Sequence, residues 1–147
     1  MITIRNFQDS DYPVLCELDA PMFSGMGGPI LFRHIQELFG DLFLVAEMDG
    51  DIIGYILGGV HLEDAARGKL IRIGVCPGHQ RKECGTQLTA ELFSRMRSRG
   101  VTSVHVTVAL ENSAARSFYA KIGFVQKEIR ENYFYPDIPR LVLEKTL

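Results

Sequence analysis

The sequence predicts an α/β (α+β) fold with a mixed, mostly antiparallel seven-stranded sheet and helices on both faces. Short stretches with strand-like alternation are interleaved with longer stretches of helical periodicity. The pair Asp49-Gly50 is a strong signal for a two-residue hairpin turn, so strands two to four can form an antiparallel meander. Helical stretches follow strands four and five, and helices in those positions permit parallel crossovers.

The expected order of elements is βααβββαβαββ. The strands are predicted at residues 2–5, 42–46, 52–60, 69–75, 103–108, 124–129 and 141–143. The helices are predicted after the start Asp9-Ser10-Asp11 and over residues 30–39, 85–99 and 113–121. Ser113 is the expected N-cap of the last helix. Residues 21–29 are rich in glycine and are predicted to form a mobile loop, and residues 61–68 a polar loop.

The spacing of apolar residues predicts the buried faces. The helix over residues 85–99 has an apolar stripe of Leu88, Leu92, Phe93 and Met96. In the strand over residues 103–108 the valines point inward, which leaves His105 and Thr107 on the opposite face. The last helix has a predicted core stripe of Ala115, Phe118 and Ile122, with Tyr119 half-buried at its edge.

Length and composition indicate a single globular domain over residues 1–147, with 46% hydrophobic and 23% charged residues. No apolar run approaches the roughly 20 residues of a membrane span, and the first residues do not resemble a signal peptide. The three cysteines cannot all pair and have no metal-site spacing, so reduced thiols in a cytoplasmic protein are expected. A net charge of −2 argues against a nucleic-acid or anionic-membrane binder.

Basic residues are concentrated in one part of the chain. Residues 66–100 hold eight basic and two acidic side chains, whereas residues 1–65 hold two basic and eleven acidic ones. This basic segment could bind a polyphosphate, or it could form a solvated basic helix face. Both interpretations stay open on charge alone.

The strongest local signal is the segment 75–86, with the sequence VCPGHQRKECGT. It runs from a strand through a loop into a helix N-terminus, which directs unpaired backbone N–H groups and a positive dipole end at one spot. That arrangement suits a pyrophosphate, and Arg81 and Lys82 add charge. A strand–loop–helix connection that binds nothing stays open. The second signal is the segment 112–124, NSAARSFYAKIGF.

Together these segments resemble the GNAT-type N-acetyltransferase superfamily, and the resemblance covers nearly the whole chain. The acetyl-CoA loop of that superfamily has the pattern Q/R-x-x-G-x-G/A, which corresponds to residues 80–85, QRKECG. Its second motif has the pattern N-x-x-A-x-x-F-Y-x-x-x-G-F, and residues 112–124 match it at every fixed position.

The resemblance implies direct transfer of an acetyl group from acetyl-CoA, the cosubstrate, to a primary amine, with no covalent enzyme intermediate. Tyr119 is implied as the catalytic acid that protonates the leaving thiolate. The loop amides are implied to hold the pyrophosphate, and the end of the fourth strand is implied to pair with pantetheine and orient the thioester. The implied cofactor-binding residues are Ile73, Gly74, Val75, Gln80, Arg81, Lys82, Glu83, Cys84, Gly85, Thr86, Asn112, Ala115 and Phe118.

Two positions depart from the superfamily's pattern. Glu83 stands where glycine is usual, and a carboxylate beside phosphates is repulsive, so we expect weakened but not abolished CoA binding. The segment 130–135, RENYFY, is similar to the aromatic hairpin that helps wall the peptide site of ribosomal-protein and other protein N-terminal acetyltransferases. Thr107 stands where the bacterial ribosomal-protein enzymes carry a glutamate.

The acceptor is less specified by the sequence. It is a small-molecule amine or a protein N-terminus or lysine, and a homodimer stays open. An attacking amine must lose a proton, and the candidate bases are His61, Glu63, Asp64 and His105, each of which could instead be an ordinary surface residue. Arg72 could meet a substrate carboxylate or be solvated.

Two other function classes stay open. A non-catalytic acyl-CoA-binding sensor is favoured slightly by Glu83 and disfavoured by the intact Asn112 and Tyr119. A nucleotide-phosphate-binding protein could use the same loop, although the chain lacks the sequence G-x-x-x-x-G-K-[ST].

Overall fold

A computed structural model of the chain describes residues 1–23, 27–80 and 83–147. The predicted order of strands and α-helices is confirmed. The elements are β1 (Ile2–Asn6), a 3-10 turn (Asp9–Asp11), α1 (Tyr12–Met22), α2 (Gly28–Phe39), a 3-10 turn (Gly40–Leu42), β2 (Phe43–Met48), β3 (Asp51–Val60), β4 (Arg67–Val75), a 3-10 turn (Pro77–His79), α3 (Cys84–Ser98), β5 (Ser103–Val108), α4 (Ser113–Lys121), β6 (Val125–Arg130) and β7 (Arg140–Thr146).

The strands form one seven-stranded sheet in the order β1-β2-β3-β4-β5-β7-β6. β1–β2, β2–β3, β5–β7 and β6–β7 pair antiparallel, and β4–β5 pair parallel. The predicted mixed, mostly antiparallel sheet is therefore confirmed. None of the helices within the described ranges has both the length and the apolar character of a membrane span. The single domain over residues 1–147 stays a prediction.

The chain divides into two compact units, and the first comprises Met1–Gly59 and Leu70–Arg99. Its strands carry helices on both faces. On one face Phe43 and Tyr55 pack in an aromatic core with Phe32 of α2. On the other face α3 lies so close to β3 that a Cβ on Gly58 would approach Leu92 to 2.8 Å. The predicted stripe of α3 is buried as expected.

The predicted hairpin turn at Asp49-Gly50 is confirmed. Asp49 has φ 54° and Gly50 has φ 85°, the left-handed pair that a type I′ turn requires. The turn connects β2 to β3, and a register shift between Ala46 and Glu47 marks a β-bulge close to it.

The predicted loop over residues 21–29 is shorter than expected. α1 continues through Met22 with Pro21 in its last turn, and α2 begins at Gly28. Pro29 lies in the first turn of α2, where a missing N–H costs no intrahelical hydrogen bond. Residues 24–26 lie outside the described residues.

The second unit comprises Val60–Lys69 and Gly100–Leu147. β4 begins at Arg67, two residues earlier than predicted, and residues 67–69 pair with residues 103–105 of β5. Both faces of β5 are buried, so the expected exposed face of His105 and Thr107 is wrong. The cause is that His61 lies against His105 and Arg140 lies against Thr107 on this face.

β6 forms an edge of the sheet. All six of its residues are exposed, and they include Val125 and Ile129. A register shift between Gln126 and Glu128 marks a β-bulge in its pairing with β7.

Candidate active site

The end of β4 lies in the first unit, and its backbone N–H and C=O groups on the β5 side have no ladder partner among the described residues. The parallel ladder with β5 covers only residues 67–69 of β4, so Ile73, Gly74 and Val75 lie beyond its end. Gly74 is buried, and a Cβ there would lie 2.6 Å from Cε1 of Tyr55. Because the tyrosine ring fills this space, the position accepts only glycine without repacking.

The loop between β4 and α3 ends in an open helix N-terminus. Gln80 Nε2 donates to the Val75 carbonyl at 3.3 Å. Glu83 is the N-cap of α3, and its side chain makes no capping hydrogen bond. The first-turn amides of Cys84, Gly85 and Thr86 have no intrahelical acceptor, and they lie at the positive end of the helix dipole. Such a helix end suits an anion. Arg81 and Lys82 lie outside the described residues.

Glu83 has φ +62°, in the left-handed region. A residue with a Cβ pays a steric cost of roughly 1–2 kcal/mol there, whereas glycine pays none. This backbone requirement gives a physical reason for the glycine that the superfamily usually has at this position. The carboxylate of Glu83 is exposed.

The two thiols near this loop are poor nucleophiles. Burial raises the pKa of Cys84 to about 11, and burial also raises the pKa of Cys76. A thiol with a raised pKa holds little thiolate at neutral pH. Neither residue therefore favours a covalent acyl-enzyme route.

Basic residues on α3 and at its C-cap form ion pairs at the surface. Arg95 Nε lies 3.1 Å from Glu91 Oε1, and Arg99 Nε lies 3.5 Å from Asp41 Oδ2. Arg95 and Arg99 therefore agree with the interpretation of the basic segment as a solvated helix face.

α4, in the second unit, is capped by Asn112. Its Oδ1 accepts a hydrogen bond from the Ala115 amide at 3.1 Å, so the prediction of Ser113 as the cap is wrong. Asparagine and serine are both good N-cap residues, and the start of the helix decides which of them is used. Asn112 itself is exposed.

The buried residue of α4 is Tyr119, which is 5% exposed, whereas Ala115, Phe118 and Ile122 are only partly buried. The buried face of α4 is therefore rotated from the predicted apolar stripe towards Tyr119. The reason is that the Tyr119 ring packs edge-on against Phe118 and Phe124, with centroid distances of 5.3 Å. Burial raises the pKa of Tyr119, and the charge of Arg140 opposes this shift. The hydroxyl is thus protonated at neutral pH and can donate a proton.

Two candidate bases, His61 and His105, form a pair in the second unit. Their Nε2 atoms are 2.6 Å apart, and His105 is 6% exposed, so the surface alternative is wrong for it. Burial and the nearby charges of Arg67 and Lys69 lower the pKa of both rings, that of His105 to about 4. Both imidazoles are therefore neutral at pH 7.

The other two candidate bases have surface positions. Glu63 and Asp64 are exposed, and Asp64 Oδ1 accepts from the Ala66 amide at 3.1 Å, a turn-forming contact. The structure does not bring either of them to the histidine pair by a hydrogen bond that it describes.

A buried polar cluster in the first unit went unrecognised in the sequence. Asp19, 1% exposed, accepts a hydrogen bond from the Tyr55 hydroxyl and forms an ion pair with Arg72 at 3.2 Å. Neither interpretation of Arg72 as solvated or substrate-facing predicts this internal pair. The guanidinium also lies 4.3 Å from the Phe23 ring centroid.

Further polar contacts of the second unit were not predicted from the sequence. Arg140 Nη2 donates to the Thr107 carbonyl at 2.7 Å, and its Nε donates to Thr107 Oγ1 at 3.2 Å. Lys69 Nζ donates to the Tyr133 hydroxyl at 2.8 Å. The polar alternation of β5 singled out Thr107 in the sequence, whereas no local pattern singles out Arg140.

Comparison with known proteins defines the class. The sequence model of the acetyltransferase (GNAT) family matches residues 8–124. The chain therefore belongs to the acetyltransferase (GNAT) family.

Individual relatives agree with this class. The ribosomal protein bS18-alanine N-acetyltransferase of Escherichia coli K12 is 26% identical over 136 residues, 91% of this chain and 88% of that protein. Alignments with three other curated acetyltransferases span 57%, 60% and 32% of those proteins, so the chain covers less than two thirds of each.

Solved structures confirm the fold. Ard1 of Thermoplasma volcanium has a TM-score of 0.91 and 21% identity, covering 99% of this chain and 97% of that one. Naa50 of Arabidopsis thaliana, in complex with the bisubstrate analogue CoA-Ac-MVNAL, has a TM-score of 0.85 and 18% identity, covering 99% of both chains.

Proposed function

We propose that the chain is an acetyl-CoA-dependent N-acetyltransferase that transfers the acetyl group directly to a primary amine. The observation that carries this proposal is the open first turn of α3, which a short loop connects to the end of β4. Its three uncapped amides suit the pyrophosphate of CoA. Family membership and the intact second motif support the same cosubstrate, and the related fold of Naa50 holds a CoA analogue.

The proposed cofactor contacts follow the motifs. Gln80 and the backbone amides of residues 81–86 hold the phosphates. The charges of Arg81 and Lys82 favour this contact, and the carboxylate of Glu83 opposes it. Backbone groups of Ile73, Gly74 and Val75 hold the pantetheine arm and orient the thioester. Asn112 contributes its amide donor, since its carbonyl oxygen is used by the helix cap. Ala115 and Phe118 line the same arm.

In the proposed reaction the amine nitrogen attacks the thioester carbonyl carbon and forms a C–N bond. The tetrahedral intermediate then breaks the C–S bond, which releases the CoA thiolate. Backbone donors aimed at the carbonyl oxygen stabilise the tetrahedral oxyanion. Tyr119 donates its proton to the leaving CoA sulfur, whose thiol has a pKa of about 8.5 in water. The neutral imidazole pair His61–His105 is the candidate in the second unit to take up the proton that the amine loses.

The acceptor is a primary amine of a small molecule, or a protein N-terminus or lysine. The protein N-terminal alternative is supported by the name of the E. coli relative, which is an alanine N-acetyltransferase of a ribosomal protein. We propose a cytoplasmic location, which the sequence favours because its three cysteines cannot all pair.

Two measurements test the function. Acetyl-CoA at ~100 times its dissociation constant should stabilise the protein by about 2.7 kcal/mol, whereas ATP and NAD should stabilise it less. A screen of amines and N-terminal peptides should show CoA release. A folded protein with no thermal shift at millimolar acetyl-CoA would rule out the cosubstrate. A shift without CoA release from any amine would favour the sensor.

A further inference from the structure

Arg140 has an unusual environment for a charged side chain. Two of its nitrogens are held by Thr107, and its guanidinium carbon lies 5.2 Å from the Phe134 ring centroid. The side chain is thus fixed in orientation, and the residue is only partly accessible. Neither contact neutralises the positive charge.

No carboxylate of the described chain forms an ion pair with Arg140; the ion pair described in this unit is the one between Arg130 and Glu128. Residues 24–26 and 81–82 contain no acidic residue, so they supply no such partner. Glu111 acts on Arg140 only through its charge at a distance, and burial lowers the pKa of Arg140. A partly buried, unpaired guanidinium is costly, and an incoming anion would relieve that cost.

A second cation belongs to the same unit. Lys69 donates to the Tyr133 hydroxyl, and Tyr133 is close enough to Arg140 for its charge to affect the pKa of Arg140. The hydroxyl that accepts from Lys69 keeps its own proton, which it can donate to a ligand oxygen. Lys69 also has no ion pair among the described contacts.

The other charged and titratable groups around Lys69 do not cancel its charge. His105 is its partner across the β4–β5 ladder, and the His61–His105 pair is neutral at pH 7. Arg67 adds a further positive charge. Glu144 is the ladder partner of His105 on β7, and it forms no described ion pair with either cation.

We infer that the acceptor amine carries a carboxylate, and that Arg140, with the Lys69–Tyr133 pair, binds this carboxylate. The inference rests on the proposed acetyl transfer and makes it more specific. Arg140 also acts on the pKa of Tyr119, so the carboxylate would be bound close to the residue that protonates the thiolate. The carboxylate belongs either to a free acidic amine or to the acidic residue of a peptide N-terminus, since both present the same group.

Matched acceptors test the inference. CoA release is measured with glutamate α-amide against glutamine α-amide, and with Ala-Asp against Ala-Asn N-terminal peptides, each peptide amidated at its C-terminus. Hydrogen bonds to charged groups are worth enough for the acidic member of at least one pair to have kcat/KM about 10- to 100-fold higher. The pair that shows the preference identifies the source of the carboxylate. The preference should shrink with added salt.

Variants assign the preference to these residues. Arg140→Gln should bring the acidic-to-neutral ratio close to one, Arg140→Lys should keep part of it, and Lys69→Gln should reduce it. Lys127→Gln, on the exposed edge strand, is the matched control and should leave the ratio unchanged. The melting temperature shows whether each variant is folded, and Arg140→Lys keeps the test available if Arg140→Gln does not fold.

Equal kcat/KM for both members of each pair would overturn the inference, as would an Arg140→Gln variant that lowers both members equally. Either result leaves the proposed acetyl transfer intact, because turnover with neutral amines is still observed. Absence of CoA release with every amine, together with no acetyl-CoA binding, is the distinct result that contradicts the function itself.

Discussion

Glu83 occupies a backbone conformation that glycine adopts at less cost. Its φ of +62° places Cβ close to the following carbonyl, while its exposed carboxylate makes no capping bond to α3. Two effects are therefore separable at one residue: backbone strain, which affects stability, and negative charge, which affects binding of a phosphate.

Glu83→Gly should raise stability by about 0.5–1 kcal/mol, because relief of the left-handed strain exceeds the entropy that glycine adds to the unfolded chain. It should also tighten acetyl-CoA binding. Glu83→Gln removes the charge but keeps the strain, so it should tighten binding without a gain in stability. Urea denaturation and acetyl-CoA titration measure the two effects. A Glu83→Gly protein that is less stable than the parent would show that the side chain supports the loop.

The role of Tyr119 can be tested by removing one atom, its hydroxyl oxygen. Tyr119→Phe keeps the ring that packs against Phe118 and Phe124 and removes only the hydroxyl, so the melting temperature should change little. Turnover should fall by ~10²–10⁴-fold if the hydroxyl protonates the thiolate. KM for acetyl-CoA should change much less, because the proton is needed mainly in the transition state.

The loss in Tyr119→Phe should be smaller with an acyl donor whose thiol is a better leaving group. Near-normal turnover in the folded variant would assign the proton to water or to another group, and it would leave the fold and the cosubstrate unaffected.

At the scale of an element, α4 combines a structural and a binding role at its N-cap residue, Asn112. Asn112 satisfies the Ala115 amide through Oδ1, which leaves its amide nitrogen for the proposed contact with CoA. The two roles use different atoms of one side chain, so a substitution can remove one and keep the other.

Asn112→Ala should cost about 1 kcal/mol of stability, because α4 loses its cap. Asn112→Asp should keep the cap and benefit from the helix dipole, so its stability should be near that of the parent. The same variant should bind acetyl-CoA more weakly, because it lacks the amide donor and adds a negative charge. Chemical denaturation and cofactor titration distinguish these outcomes, and unchanged affinity in Asn112→Asp would limit Asn112 to capping.

At the scale of the whole molecule, the His61–His105 pair makes stability depend on pH. An unfolded histidine has a pKa near 6.5, whereas the folded His105 has a pKa of about 4, mainly because of burial. Between these values the unfolded chain binds more protons than the folded chain, so acid favours unfolding.

The free energy of unfolding should therefore fall as pH decreases from about 6.5 towards about 4, and this contribution should be complete above 6.5. His105→Asn should flatten the slope in this window, whereas His34→Gln, on an exposed face of α2, is the control that should keep it. Denaturant unfolding at half-unit pH steps measures the slope. Equal slopes in the parent and in His105→Asn would contradict the assignment.

The sequence predicted what local patterns encode. Periodicity located the elements, the stripe of α3 matched the buried residues, and Asp49-Gly50 identified the hairpin. The same reasoning failed where distant residues decide burial. Tyr119 is buried because Phe124, beyond the helix, packs on it.

The contacts of the candidate site that the sequence did not predict have the same origin. His61 and His105 are 44 positions apart, and Arg140 reaches Thr107 over 33 positions. Such contacts depend on which strands become neighbours. Periodicity ordered the strands along the chain, but it did not place β7 between β5 and β6. The two cofactor motifs, in contrast, are contiguous in sequence, so the binding roles of their residues could be predicted from the sequence. These roles stay predictions.

The bulge in β6 affects the protein's behaviour at high concentration. An exposed edge strand with Val125 and Ile129 offers unpaired backbone groups to another chain, the usual start of open-ended strand addition. The bulge at Gln126–Glu128 interrupts a regular hydrogen-bonding register, and Lys127, Glu128 and Arg130 place charges along the edge. A second copy would have to desolvate these charges and match an irregular ladder, so this edge resists polymerisation despite its apolar residues.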